Sequence, residues 1–139
     1  MADRETSLKG MAAVLEKGRA ASRELDCAIG VAIGRFTVHP PRYEGGDVQY
    51  SDGNAWPGQA GDMLVPRYTD SMDAALTLLP AHGPDCAAFW RVGNDGEGGD
   101  PSLFKAEVLI ARGLISNRQT GVALTAPMAL CIAALKTMA

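Results

Sequence analysis

Two periods run through the apolar positions of this chain. Between residues 7 and 20, Leu8, Met11, Val14 and Leu15 fall on one helical stripe, weakened by Gly10 and Gly18. The six residues before it are expected to fray. The stripe is stronger over 22–34, where Leu25, Ala28, Ile29, Ala32 and Ile33 share a face. Ser22 can cap this helix, Glu24 suits its first turn and Gly34 its end. Cys27, beside the face, reads as a small buried hydrophobe. A third helix is predicted over 69–79, capped by Asp70, with Asp73 in the first turn and Met72, Ala75, Leu76 and Leu79 inward. The fourth, over 125–138, starts at Thr125 with Pro127 in its first turn. Its stripe is Met128, Cys131, Ile132, Leu135 and Met138, and alanines on its other face imply cover on more than one side.

Elsewhere the period shortens to two. Residues 87–92 and 104–112 read as strands, the second with Phe104, Ala106, Val108 and Ile110 on one side, and 119–124 as a third. Their closeness in sequence favours an antiparallel meander. The fold class that follows is α+β, a small antiparallel sheet packed between helices in an α/β/α sandwich, as one domain over 1–139. Residues 35–68 fit neither period. GG, DG and PG turn signals break the segment, and the pieces DVQYS and DMLVP suggest a partial hairpin inside a long loop.

Charge narrows the function classes. A formal net charge of −3 lacks the basic balance of a long nucleic-acid binder. No apolar run is long enough to span a membrane, and the first 20 residues mix charges in a way no signal peptide does. The three cysteines, Cys27, Cys86 and Cys131, are widely separated and odd in number, which fits a reduced, cytoplasmic protein. His39 and His82 lack metal spacing, and nothing implies a cofactor.

One short word repeats: Pro41-Arg42-Tyr43 and Pro66-Arg67-Tyr68. The flanks differ and nothing else matches in register, so chance explains it better than duplication. The second copy belongs to a wider resemblance. RELDCAIG at 23–30, PRYTDSMDAALTLLP at 66–80 and TAPMALCIAALKTMA at 125–139 resemble, in this order, strings of the phage ABA sandwich domain family. The likeness covers about residues 22–80 and 104–139. It implies a sheet between helical layers and a phage accessory protein in the cytoplasm of an infected host, and it carries no catalytic residues. Trp90 comes later after the middle helix than the family pattern has it.

Four groups of residues could carry chemistry. Arg67, Tyr68, Thr69 and Ser71 lead into a helix N-terminus, which suits an anionic ligand; the alternative is a plain cap satisfied by Asp70 and Asp73. Arg42, Tyr43, Tyr50 and Trp56 offer stacking faces and a donor for a planar ligand; the alternative is a loop anchored on its own aromatics. Asn94, Asp95, Glu97 and Asp100 are oxygen-rich but lack calcium-loop spacing, so a solvated hairpin loop is the better reading. His39, His82 and Ser71 have no sequence logic joining them into a catalytic set.

Two functions follow as expectations. The first is a non-enzymatic binder of a nucleotide-type small molecule through Arg42, Tyr43, Trp56, Arg67, Tyr68, Thr69 and Ser71, sequestering a host antiviral signal. A homo-oligomer accompanies it, with the alanine-rich last helix and the methionines as interface. The second is a protein-interaction or virion-associated module without a small-molecule ligand. A binder gathers its arginines and tyrosines into a cavity; a module spreads them beside an apolar patch.

Overall fold

The computed structural model describes residues 2–17, 21–40, 43–45, 49–52, 65–80, 83–94 and 103–138. They form an α+β fold with a small antiparallel sheet packed against helices.

Helix α1 spans Ala2–Glu16 and buries Leu8, Met11, Ala12 and Leu15. It begins earlier than its apolar stripe and ends before Gly18. Helix α2, Arg23–Ala32, starts where expected: the Ser22 hydroxyl oxygen accepts from the Leu25 N–H at 3.1 Å. Its buried face is rotated from the hydrophobic one. Leu25 and Ile29 are inside, but Ala28 is exposed, and Asp26, Cys27 and Gly30 take up the interior. A β-carbon on Gly30 would lie 2.8 Å from the Phe36 ring, so the missing side chain lets that ring close over the helix. Gly34 then turns the chain at φ +80°.

Strands β1 (Phe36–His39) and β2 (Gln49–Asp52) pair antiparallel, Phe36 opposite Asp52 and His39 opposite Gln49. The described part of the DVQYS piece, Gln49 to Ser51, thus pairs with the FTVH run before it, a β-branched and aromatic segment that the sequence reading does not assign to a strand. Residues 62–64 of DMLVP lie outside the described residues.

Helix α3 is short, Met72–Leu76, and Ser71 caps it rather than Asp70, accepting from the Ala74 N–H at 3.3 Å. The Arg67 carbonyl accepts from the N–H groups of both Asp70 and Ser71, so a tight turn occupies the residues expected as the first helical turn.

Strands β3 (Ala87–Asn94), β4 (Phe104–Arg112) and β5 (Ile115–Ala123) form the expected meander, ordered β3-β4-β5. The third strand begins four residues before its predicted start. Gly113, at φ +60°, makes the two-residue connection between Arg112 and Ile115 possible. Helix α4, Ala126–Met138, begins at Thr125, whose hydroxyl accepts from the Met128 N–H at 3.3 Å. Every residue from Met128 to Leu135 is buried. The sheet contacts one side of α4, and α1 and α3 contact the others. The alanine face thus belongs to the protein's own core and is not an oligomer interface; Met128 and Met11 are buried with it.

Register separates the two faces of the sheet. Ala106, Val108 and Ile110 of β4, with Gly121 and Ala123 of β5, are buried toward α4. The other face carries Phe89, Arg91, Arg118, Thr120 and Val122, all exposed. Among the described residues the helical layers lie on the first face only.

Gly121 sets how closely α4 approaches the sheet. A β-carbon there would meet the Ala129 carbonyl oxygen, lie 2.7 Å from the Ile132 Cβ and 2.9 Å from the Ala133 nitrogen. Two of these are backbone atoms and cannot rotate away. Gly121→Ala is expected to cost about 1–3 kcal/mol through overpacking, read as a lower urea midpoint at unchanged slope.

Candidate functional site

The residues Val65–Ser71 run between α2 and α4, and a buried carboxylate holds them there. Asp26 is 1% exposed. Its Oδ1 accepts from the Thr69 backbone N–H at 2.7 Å and from the Thr69 hydroxyl at 2.7 Å. Its Oδ2 pairs with the Arg23 guanidinium at 3.0 Å, and a second Arg23 nitrogen donates to the Val65 carbonyl at 2.7 Å. The Thr69 hydroxyl oxygen in turn accepts from the Ser22 N–H at 3.1 Å. From the far side, the Cys131 thiol donates to the Tyr68 carbonyl at 3.2 Å. A buried charge is tolerated when it is paired and its lone pairs are used, and both conditions hold here.

This arrangement decides where the proposed ligand residues point. Tyr68 and Thr69 are wholly buried, with no surface to offer a ligand. Burial makes Tyr68 a core aromatic; its hydroxyl lies 3.5 Å from the Arg35 guanidinium. Ser71 is spent on the α3 cap. Arg67 is exposed and stands 4.0 Å from Asp70, a surface pair. Tyr43 is 73% exposed in the turn before Gly45. Arg42, Trp56, His82 and the acidic residues 95–100 lie outside the described residues. The described members of the set therefore divide between core and surface and do not line one cavity. His39 is half-buried on β1.

A different cluster occupies the open face of the sheet. Phe89 and Arg91 on β3, Glu107 and Leu109 on β4 and Arg118 on β5 surround a shallow depression of about 420 Å³. The Arg91 Nε donates to Glu107 Oε2 at 3.1 Å across the strands. Leu109 stands directly between Phe89 and Arg118 in register. Alternation within β3 sets Phe89 and Arg91 on the face opposite that of Ala88, Trp90 and Val92, and the register Phe89 to Leu109 puts that face away from Val108 and the core. Beyond it, Leu114 and Ile115 project from the β4–β5 turn, Leu114 fully exposed.

Among the described residues no three His, Cys, Asp or Glu side chains gather closely enough to hold a metal ion, and no helix is long and apolar enough to cross a membrane. Burial, and then the Asp26 charge, push the Cys131 thiol far above its ordinary range.

Asp26→Ala would leave the Thr69 N–H and the Arg23 guanidinium without their shared acceptor. The expected loss is about 3–5 kcal/mol in chemical denaturation, against about 1 kcal/mol for Thr69→Val. Arg67→Ala, at an exposed pair, should fall within about 0.5 kcal/mol of the parent; an equal loss in all three variants would contradict a buried hub. Cys131 should resist a chromogenic thiol reagent at neutral pH until denaturant is added, while half-buried Cys86 reacts in the folded protein. The folded state also holds the Cys131 proton more tightly than the unfolded chain does. Its contribution is thus intact at neutral pH and declines as alkalinity passes the ordinary thiol range.

The chain matches no family model, no curated protein and no solved structure.

Proposed function

We propose that this protein is a non-enzymatic interaction module that docks a protein partner on the open face of its three-stranded sheet. One observation carries the reading. Phe89 is 54% exposed on the solvent side of a strand, with Leu109 and Val122 on the same face. Aromatic and aliphatic side chains set among arginines are the composition of a protein interface, and Arg91 and Arg118 supply the polar part. The projecting Leu114 and Ile115 extend the apolar surface past the end of the strands.

A second reading keeps the small-molecule ligand and moves it. The depression beside Phe89 and Arg118 has the size of a ligand site, a stacking face and a guanidinium for a phosphate. Sequestration of a nucleotide-type signal by a phage protein, a reading drawn from the family resemblance together with the arginine, tyrosine and tryptophan of the long loop, would then use this face and not Arg67 and Tyr68. Its shallowness and the commitment of Arg91 to Glu107 favour the protein partner.

Affinity capture with Leu109→Glu/Val122→Glu as the comparison separates the two. The expected result is a partner held by the parent and by Arg67→Ala, lost by the face variant, and bound again when both proteins are purified. A rise in melting temperature with a nucleotide, abolished by Arg118→Ala, with no partner distinguishing the variants, would replace this reading with the ligand one.

A further inference from the structure

Charge is unevenly spread over this chain. The whole carries a formal net charge of −3. The strands β3, β4 and β5 reverse the balance: they hold Arg91, Lys105, Arg112 and Arg118, and Glu107 is their one carboxylate. Four cations against one acid give the strands +3 and leave −6 on the rest of the chain. The excess serves neither strand pairing nor the packing of α4, both of which use uncharged groups.

Register shows where the cations lie. Arg91, Lys105 and Arg118 stand on the open face of the sheet, and exposed Arg112 ends β4 beside the projecting Leu114. Glu107 is already taken by Arg91 at 3.1 Å. Arg112 and Arg118 make no hydrogen bond or ion pair with the described residues. The aliphatic side chains of the face each have a cation directly across the strands: Leu109 stands opposite Arg118, and Val122 opposite Lys105.

We propose that the partner segment docked on this face is acidic, a polypeptide carrying Asp or Glu next to apolar side chains. Its carboxylate meets Arg118 and its apolar group meets Leu109. The inference rests on the docking reading above and adds the chemistry of the partner. The Arg118 fork takes a carboxylate in two parallel hydrogen bonds without giving up an existing pair. The negative net charge of the chain does not prevent this. Charges farther than about 8 Å are largely screened at physiological ionic strength, so the cations of the strands decide the encounter at contact. A nucleic acid suits the face less well. Glu107 lies between Arg91 and Thr120 in the middle of it, where a polyanion would be repelled and a peptide can set an uncharged residue.

The test offers a random-peptide display library to the intact protein and sorts the binders against Leu109→Gln/Val122→Thr, which removes apolar contact without changing charge. Binders that need the face should be enriched in Asp and Glu over the starting library. A synthesised binder should lose about tenfold or more in affinity for Arg118→Glu and weaken with added salt. It should regain affinity for Arg118→Glu when its acidic residue is changed to Arg. Arg118 is exposed, so its variant should keep the circular dichroism of the parent. Face-dependent binders with no acidic excess, or indifferent to Arg118→Glu, would overturn the acidic assignment and leave the docking face in place. If no binder tells the parent from the uncharged variant, both readings fall. A labelled oligouridylate that binds the parent and is released by Arg118→Glu, with no peptide competing, would assign the cations to nucleic acid instead.

Discussion

The carboxylate of Asp26 organises this protein. One buried group accepts from the backbone and side chain of Thr69 and pairs with Arg23. The same arginine fixes Val65. These bonds tie the start of α2 to a segment more than 40 residues away, and they place Tyr68 against α4, where Cys131 meets its carbonyl. Loss of water from the charge is offset only while every partner is present, so the network rewards one arrangement of the segment and penalises others.

The consequence for function is spatial. A segment held on both sides by core contacts has little left to offer a ligand, so Arg67 faces solvent alone while Tyr68 and Thr69 are interior. On the far side of α4, the sheet spends one face on the core and leaves the other open. Gly121 makes this division sharp by letting α4 lie close against β5, with its buried run covered by the sheet, α1 and α3. Strand β3 therefore carries two exposed aromatic side chains, Phe89 on the open face and Trp90 at the margin of the covered one.

Periodicity made much of the fold legible. The stripe through Met128, Cys131 and Leu135, the alternation through Ala106, Val108 and Ile110, and the Ser22 cap all appear where the residues indicate. What hydrophobicity could not show was a charge used as a core residue. Asp26 lies beside an apolar stripe and reads as a first-turn acid, and only the 43-residue separation from Thr69 closed by folding reveals its role. The α3 start shifted for a related reason: Asp70 lies inside the Arg67–Ser71 turn, and Ser71 after it caps the helix at the Ala74 N–H. On β5, the polar run Ser116–Thr120 hid the strand's first half, which is paired on one side but exposed. The candidate site was the least legible part. Residue type marked Tyr68 as a stacking group, whereas burial makes it a core side chain, and Phe89 stands on the outward face of β3, which the inward apolar alternation of the neighbouring strand does not reveal.

Native-state amide exchange at Thr69 tests the account most directly. If Asp26 holds this residue as part of the core, its N–H should exchange only through global unfolding, as slowly as the amides of α4, and nucleotides should leave the rate unchanged. Exchange as fast as a surface turn, slowed by a nucleotide, would contradict the account and return the ligand site to residues 67–71.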